Sequence, residues 1–216
     1  MEYSLLIVLA GILLILLRSN KVKHTTKILR WLRDDKYFLI NNINLRDKQI
    51  DHVVVSEYGI FVINYQECEG EICGEEHSYQ WTKIYRGIQR EIDNPVRETS
   101  ECIQILHNKL KLSKNIFIPI VVYPLTAGIY TQTDTKVIYT SKLLSYIRSF
   151  QTPVLTIQEA MEIYNELLTL NNSTDPRYIG ICPDCRGVLI YNNKIQCKSC
   201  KEVFNETKNN IADIIN

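Results

Sequence analysis

The sequence predicts an α/β domain in which helices flank a mixed sheet, with an apolar helix before it and a small cysteine-bearing module after it. Three observations predict this arrangement. Two apolar runs, at 50–55 and 60–63, flank a Ser-Glu-Tyr-Gly turn signal, residues 3–17 carry no charge, and two Cys-x-x-Cys pairs lie near the C-terminus. With 216 residues and 45% hydrophobic content, the chain can bury one ordinary core and a small satellite module.

The apolar run at 3–17 predicts a membrane anchor over residues 1–18. As a helix it would be about 22 Å long, shorter than the roughly 30 Å hydrocarbon core, so a span also needs the flanking residues. A signal peptide is disfavoured by the acidic Glu2 and by the lack of a small-x-small cleavage site before Arg18. A one-sided core helix is disfavoured because the run is apolar all round.

The charges that follow predict the orientation of this anchor. Six basic residues and no acid lie between Arg18 and Arg33, so the positive-inside rule places the N-terminus outside and all later residues in the cytoplasm. The same cluster could also lie on anionic lipid headgroups. The net charge of +1 provides no global attraction to nucleic acid. Seven cysteines, four of them in two close pairs, favour a reducing compartment over a disulfide framework.

The remaining elements follow from periodicity and capping signals. Asn94-Pro95 is typical of the N-cap and first residue of a helix, and Thr156 with Glu159 forms a capping-box pattern. The predicted elements are a helix at 24–33, a strand at 37–45, the hairpin at 50–63, a helix from 94 to about 112, strands at 116–123 and 136–140, a helix at 141–150, a helix from 156 to about 170 and a linker at 171–176.

The hairpin carries apolar residues on both faces, which is typical of strands covered on both sides. If its loop has two residues, Asp51 lies opposite Asn64 or Gln66, and all three share one face because side chains alternate. A three-residue loop would break that arrangement. His52 would point to the opposite face, where a packed or surface histidine is expected.

The same residues resemble a known family. The segments that carry the resemblance are Gln49-Ile-Asp-His52, Gly59-Ile-Phe-Val-Ile63, Glu69-Gly70, Ile72-x-Gly74, Trp81 and Asn94-Pro95. They resemble the nuclease-related domain, NERD, over roughly residues 24–125. That family is similar to restriction-endonuclease-like nucleases and is often fused to transmembrane segments and zinc ribbons. The resemblance therefore implies a restriction-endonuclease-like sheet within a domain at 19–150.

The resemblance implies a site that has lost most of its chemistry. The family's aspartate falls on Asp51, whereas its glutamate falls on Asn64 and its lysine on Gln66. The region matching a further glutamate, around Thr25-Thr26, has none. These are vestigial positions, and one carboxylate is a poor Mg²⁺ site. A relocated site would take Glu67 or Glu69 as the second carboxylate and Lys83 as the cation.

The cysteine pairs predict a structural zinc site. Two Cys-x-x-Cys hooks match tetrahedral thiolate coordination of Zn²⁺ with no open position, and residues 188–195 between them can form a hairpin that turns at Asn192-Asn193. A redox pair or free thiols are the alternatives. The four predicted ligands are Cys182, Cys185, Cys197 and Cys200. The module spans 180–204, after a capping helix and linker at 151–179 and before a tail at 205–216.

The leading functional hypothesis is a membrane-anchored cytoplasmic protein whose degenerate NERD domain binds nucleic acid or protein rather than cleaving a substrate. One alternative is an active divalent-metal nuclease that uses Asp51 with relocated ligands. Another is a membrane scaffold that binds a protein partner through the zinc ribbon. No oligomeric state is predicted.

Overall fold

The protein is described from a computed structural model. The residues it describes are 25–32, 36–45, 48–172, 178–181, 188–191, 195–197 and 203–204. The chain divides into two compact units, residues 1–161 and 162–216. The first unit contains the predicted α/β domain.

A five-stranded mixed sheet formed by the described residues is the centre of the first unit, with strand order β1-β2-β3-β7-β9. Strands β1 to β3 form an antiparallel meander, and β7 and β9 continue the sheet in parallel. The bounds are Tyr37–Leu45 for β1, Lys48–Ser56 for β2, Gly59–Tyr65 for β3, Phe117–Tyr123 for β7 and Lys136–Tyr139 for β9. The predicted mixed α/β sheet is thereby confirmed.

The β2–β3 turn has two residues, because Ser56 pairs with Gly59. The same register pairs His52 with Ile63. Gly59 has a φ of +131°, and a Cβ there would lie 2.8 Å from the carbonyl oxygen of Ile116, so only glycine fits this position without strain. Of the two loop lengths that the sequence leaves open, the structure shows the two-residue loop.

Helices cover both faces of this sheet, as the apolar pattern of the hairpin predicts. Helix α1, Pro95–Leu110, packs on β7, β3 and β2. On the other face the buried cluster includes Leu29 and Leu32 from the first described segment, Phe61 from β3, and Leu143 and Ile147 from helix α2, Leu143–Arg148. Helix α1 ends slightly before the predicted residue 112, because Lys111 adopts a left-handed φ of 53°.

A second sheet lies in a region where the sequence analysis predicts no strands. The described residues form a four-stranded mixed sheet of order β6-β5-β4-β8, in which β4 and β8 are parallel. Its strands are β4 Gly70–Glu75, β5 Gln80–Tyr85, β6 Ile88–Asp93 and β8 Ala127–Gln132. Their side chains are mostly polar or half-exposed, so the apolar periodicity that reveals a buried strand is weak.

Trp81 is the centre of the core under this second sheet. It is 1% exposed, and its indole Nε1 donates to the Glu75 carbonyl at 2.9 Å. A Cβ on Gly74 would lie 2.3 Å from the Trp81 ring, so the glycine gives the ring its space. Two residues of the family pattern are thus explained by one packing contact.

Asn94 joins the second sheet to helix α1. Its side-chain oxygen accepts hydrogen bonds from the amides of Val96 and Arg97, at 2.9 and 3.3 Å, which makes it the predicted N-cap. Its Nδ2 donates to the carbonyls of Glu75, Glu76 and Ser78, at 3.4, 3.1 and 2.7 Å. The Asn94 side chain therefore accepts hydrogen bonds from the first amides of α1 and donates hydrogen bonds to the carbonyls of the β4–β5 turn.

The capping box at Thr156 is confirmed in helix α3, Ile157–Asn172, which runs across the boundary of the two units. The Glu159 carboxylate accepts from the Thr156 amide at 2.7 Å and from its hydroxyl at 2.8 Å, while Thr156 Oγ1 accepts from the Glu159 amide at 3.2 Å. This reciprocal pair is the pattern expected at the start of a helix.

The second unit contains short antiparallel strands with the order β10-β11-β12-β13 among the described residues. Their bounds are Tyr178–Ile181, Val188–Tyr191, Ile195–Cys197 and Val203–Phe204. The predicted hairpin at 188–195 is confirmed, because Tyr191 pairs with Ile195 and Leu189 with Cys197. Cys182, Cys185 and Cys200 lie outside the described residues.

The predicted anchor at 1–18 also lies outside the described residues. Within the part of the chain that the structure describes, none of the helices combines the length and apolarity needed to cross a bilayer.

Asn94→Ala is expected to lower the free energy of unfolding by about 2 kcal/mol, because it removes a helix cap and the amide group that donates to the carbonyls of the β4–β5 turn. Asn94→Ser restores the capping oxygen alone and should recover about 1 kcal/mol of that loss. Urea unfolding of the purified variants measures both. The proposed dual role is wrong if both variants unfold at the wild-type urea concentration.

Candidate functional site

Asp51 lies on β2, on the hairpin face that packs against α1. The hairpin register, continued by one residue, places it opposite Asn64, as the two-residue loop requires. Asp51 is 9% exposed, and its Oδ2 accepts a hydrogen bond from the Tyr65 amide at 2.8 Å. Burial above all raises the pKa of the neighbouring Cys102 thiol to about 11, and the charge of Asp51 adds to this rise. The hydrogen bond from the Tyr65 amide to the Asp51 carboxylate holds the end of β3 against β2.

Asn64 and Gln66 are joined in a hydrogen-bonded amide chain. Gln66 Nε2 donates to Asn64 Oδ1 at 2.9 Å, and Asn64 Nδ2 donates to Thr99 Oγ1 at 3.2 Å and to the Pro95 carbonyl at 3.4 Å. Thr99 in turn donates its hydroxyl to the Pro95 carbonyl at 2.7 Å. The two amides therefore link the end of β3 to the first turns of α1.

The backbone places this amide chain where two parallel strands end. The Gln66 amide donates to the Val122 carbonyl at 2.8 Å, which extends the pairing of β3 with β7 by one residue. The carboxyl ends of parallel strands are where open α/β sheets commonly bind ligands. The topology therefore supports a site here, although the side chains at 64 and 66 are uncharged.

A cleft of about 440 Å³ opens beside Gln66, on the side of the second sheet. Among the described residues that line the cleft, Lys83 is the only cation. The acids that line it are Glu67, Glu91, Asp93 and Glu98. Asp51 is not among its lining residues. The cleft is acidic, so its field repels phosphate.

Tyr123 lies in the wall of the same cleft and is 1% exposed. Its hydroxyl has no hydrogen-bond partner among the described residues. Burial raises the pKa of this phenol, with smaller contributions from Cys68 and Glu98, so the hydroxyl keeps its proton at neutral pH.

The structure brings together only some of the relocated ligands that the sequence suggests. Glu67 and Lys83 line the cleft beside Gln66, and Glu67, Glu69 and Lys83 together line a neighbouring recess of about 350 Å³, but Asp51 lines neither of them. Among the described residues, no three His, Cys, Asp or Glu side chains come together as a set that could hold a metal ion. The sequence does not single out Glu98 and Thr99, which lie in this region on α1, because the only pattern they belong to is the helical periodicity of α1.

His52 lies on the opposite face of β2 and is fully buried, so of the two expected placements the packed one is observed. Its Nδ1 lies 2.7 Å from Asn41 Oδ1, which also accepts from the Thr26 hydroxyl at 3.3 Å. Nε2 has no hydrogen-bond partner within the described part of the chain, and burial lowers the pKa of His52 to about 4. Thr26, at the place of the family's early glutamate, thus belongs to a neutral buried network.

The comparisons with known proteins agree with this fold. A family model described as nuclease-related domain, NERD, matches residues 19–124. A Bacillus anthracis protein described as uncharacterized is 24% identical over 157 residues, covering 69% of this chain and 74% of that protein. No solved structure matches the chain.

Protonation of His52 is expected to destabilise the fold as the pH falls from about 6.5 to 4. The unfolded chain binds this proton with a pKa near 6.5, whereas the folded chain binds it only near 4, so the unfolded state gains protons first. The loss of unfolding free energy by pH 4 should be about 3 kcal/mol.

Urea unfolding of wild type and His52→Gln at several pH values measures this contribution. His52→Gln should have the flatter pH profile, whatever its stability at pH 7. His77→Gln, which removes an exposed histidine, is the matched control and should follow the wild-type profile. Parallel profiles for wild type and His52→Gln would contradict the assignment.

Proposed function

We propose, on the premise that residues 19–124 form a nuclease-related domain, that this chain binds nucleic acid without cleaving it. The observation that carries the proposal is the amide chain from Gln66 through Asn64 to Thr99. It occupies the place where the family resemblance puts an acid and a lysine.

The chemistry of phosphodiester cleavage explains why this exchange matters. A metal-dependent nuclease needs carboxylates that hold the ion and a positive group that stabilises charge on the attacked phosphate. The amides of Asn64 and Gln66 carry no charge, and they already use donors and an acceptor on each other and on α1. The Asp51 carboxylate is engaged by the Tyr65 amide. These contacts support a structural role for the hairpin.

A nicking assay with supercoiled DNA and Mg²⁺ or Mn²⁺ tests this proposal. Wild type and Asp51→Asn should both show no metal-dependent cleavage above the background without protein. Asp51→Asn is the matched variant, because an amide oxygen can still accept from the Tyr65 amide while the charge is lost. Metal-dependent cleavage by wild type that disappears in Asp51→Asn would overturn the proposal.

The second candidate is an active nuclease with relocated ligands. The observation that favours it is that Glu67 and Lys83 line the same cleft as Gln66. In the same assay this candidate requires cleavage that is lost in Glu67→Gln and in Lys83→Ala. Cleavage that is lost in these two variants and also in Asp51→Asn would therefore support it.

We also propose that the cysteine module is a structural zinc ribbon and that residues 1–18 anchor the chain in a membrane with the later residues in the cytoplasm. The ribbon is supported by the two hooks in the sequence and by the antiparallel pairing of β11 with β12, which brings Leu189 opposite Cys197. The anchor is supported by the uncharged run at 3–17 and the basic residues after it.

The zinc proposal predicts one zinc ion per chain by elemental analysis of the purified protein. Cys182→Ser and Cys200→Ser should each lower the zinc content sharply, because a closed tetrahedral site needs all four thiolates. Cys73→Ser, which changes a half-buried cysteine of the second sheet, is the control and should keep the zinc. Wild-type protein with well under one equivalent would contradict the ribbon.

A further inference from the structure

The β5–β6 hairpin carries three cations near its turn, of which Lys83 also lines the acidic cleft. Strands β5 and β6 pair antiparallel, with Lys83 directly opposite Arg90 and Tyr85 opposite Ile88. Between residues 83 and 90 the chain carries three basic side chains and no acid. In the described part of the chain, neither Lys83 nor Arg90 forms a salt bridge. Like charges directly opposite each other destabilise a strand pair, so this arrangement has a cost that the fold alone does not explain.

The turn at the tip adds a third cation in an unfavourable conformation. Arg86 and Gly87 have φ values of 51° and 76°, which is the mirror-image turn that favours Asn-Gly. A non-glycine residue with positive φ is uncommon, and arginine is not among the residues enriched there. The Arg86 guanidinium lies 5.0 Å from the centre of the Tyr85 ring. Arg86 therefore meets no requirement of the turn itself.

The apolar side chains at the tip argue against a merely protective role. Charged residues on an edge strand often prevent unwanted strand pairing, and β6 is an edge strand of its sheet. Here, however, Ile88 is 57% exposed and Tyr85 36% exposed on the same face as Lys83 and Arg90. An edge strand whose charges only prevent strand pairing would not expose apolar side chains. A binding surface, in contrast, combines exposed apolar side chains with charge.

We propose that the tip of the β5–β6 hairpin, residues 83–90, is the surface that holds the phosphate backbone of double-stranded DNA. The inference rests on the proposed nucleic-acid binding and assigns it to the exposed end of the ribbon at Arg86 and Arg90, whereas Lys83 lies in the acidic cleft at the base. Arg86 and Arg90 are exposed and contact phosphates, and Tyr85 and Ile88 contact the sugars between them. A two-stranded ribbon has the dimensions that the major groove admits. The acids Glu91 and Asp93 line the cleft at the base of the ribbon.

Salt-dependent binding of a fluorescent DNA duplex to the full chain tests this assignment. Arg86→Asn combined with Arg90→Gln should reduce the slope of log affinity against log salt by about 2, since each phosphate contact contributes roughly 0.9. Arg86→Asn introduces the residue that the turn prefers, so the melting temperature should stay the same or rise. Weaker binding without lower stability separates a binding role from a structural one.

Lys109→Ala combined with Lys114→Ala is the matched control, because it removes the same charge from exposed positions at the end of α1. Its slope should remain that of wild type. An unchanged slope in the ribbon variant, or equal losses in both double variants, would overturn the ribbon proposal while nucleic-acid binding stands. A wild-type chain that binds neither this duplex nor a single-stranded DNA or RNA of the same length at any salt concentration would instead overturn the proposed function.

Discussion

The register of the β2–β3 hairpin is the constraint on which the rest of the structure depends. Because Ser56 pairs with Gly59 across a two-residue turn, every side chain of both strands is assigned to one face or the other. Asp51 and Asn64 then face α1, and His52 faces the opposite side with Asn41. A slip of one residue would exchange the two sets and bury the wrong polar groups.

Once the register is set, neutral polar side chains hydrogen-bond to one another on each face of the hairpin. On the α1 face, Gln66 and Asn64 hydrogen-bond to each other and to the first turns of the helix. On the other face, His52 stays neutral because burial lowers its pKa to about 4. Neutral groups need no counter-charge when buried, so Asn64, Gln66 and His52 pack without one. The cations Lys83, Arg86 and Arg90 lie on the β5–β6 ribbon, at the edge of the second sheet.

Several parts of the site could be predicted from the sequence because their signals are local. The turn signal and the alternation of side chains predict that Asp51 shares a face with Asn64, and the Asn-Pro pair predicts the start of α1. The second sheet could not be predicted, since its strands show little apolar alternation and depend on Trp81 for their core. The contact of Asn64 with Thr99 was equally hidden, because the two residues are 35 positions apart and only tertiary packing brings them together.

The sequence by itself determined the mixed α/β sheet, the presence of the hairpin and the identity of the groups at 51, 64 and 66. These depend on alternation, turn length and side-chain chemistry, which are properties of neighbouring residues. Only the tertiary structure decided how those groups are used. It joined the amides to α1, placed Glu67 and Lys83 around a cleft that excludes Asp51, and put Lys83 opposite Arg90 at the edge of the second sheet. Such contacts arise from the packing of separate elements, which no local pattern encodes.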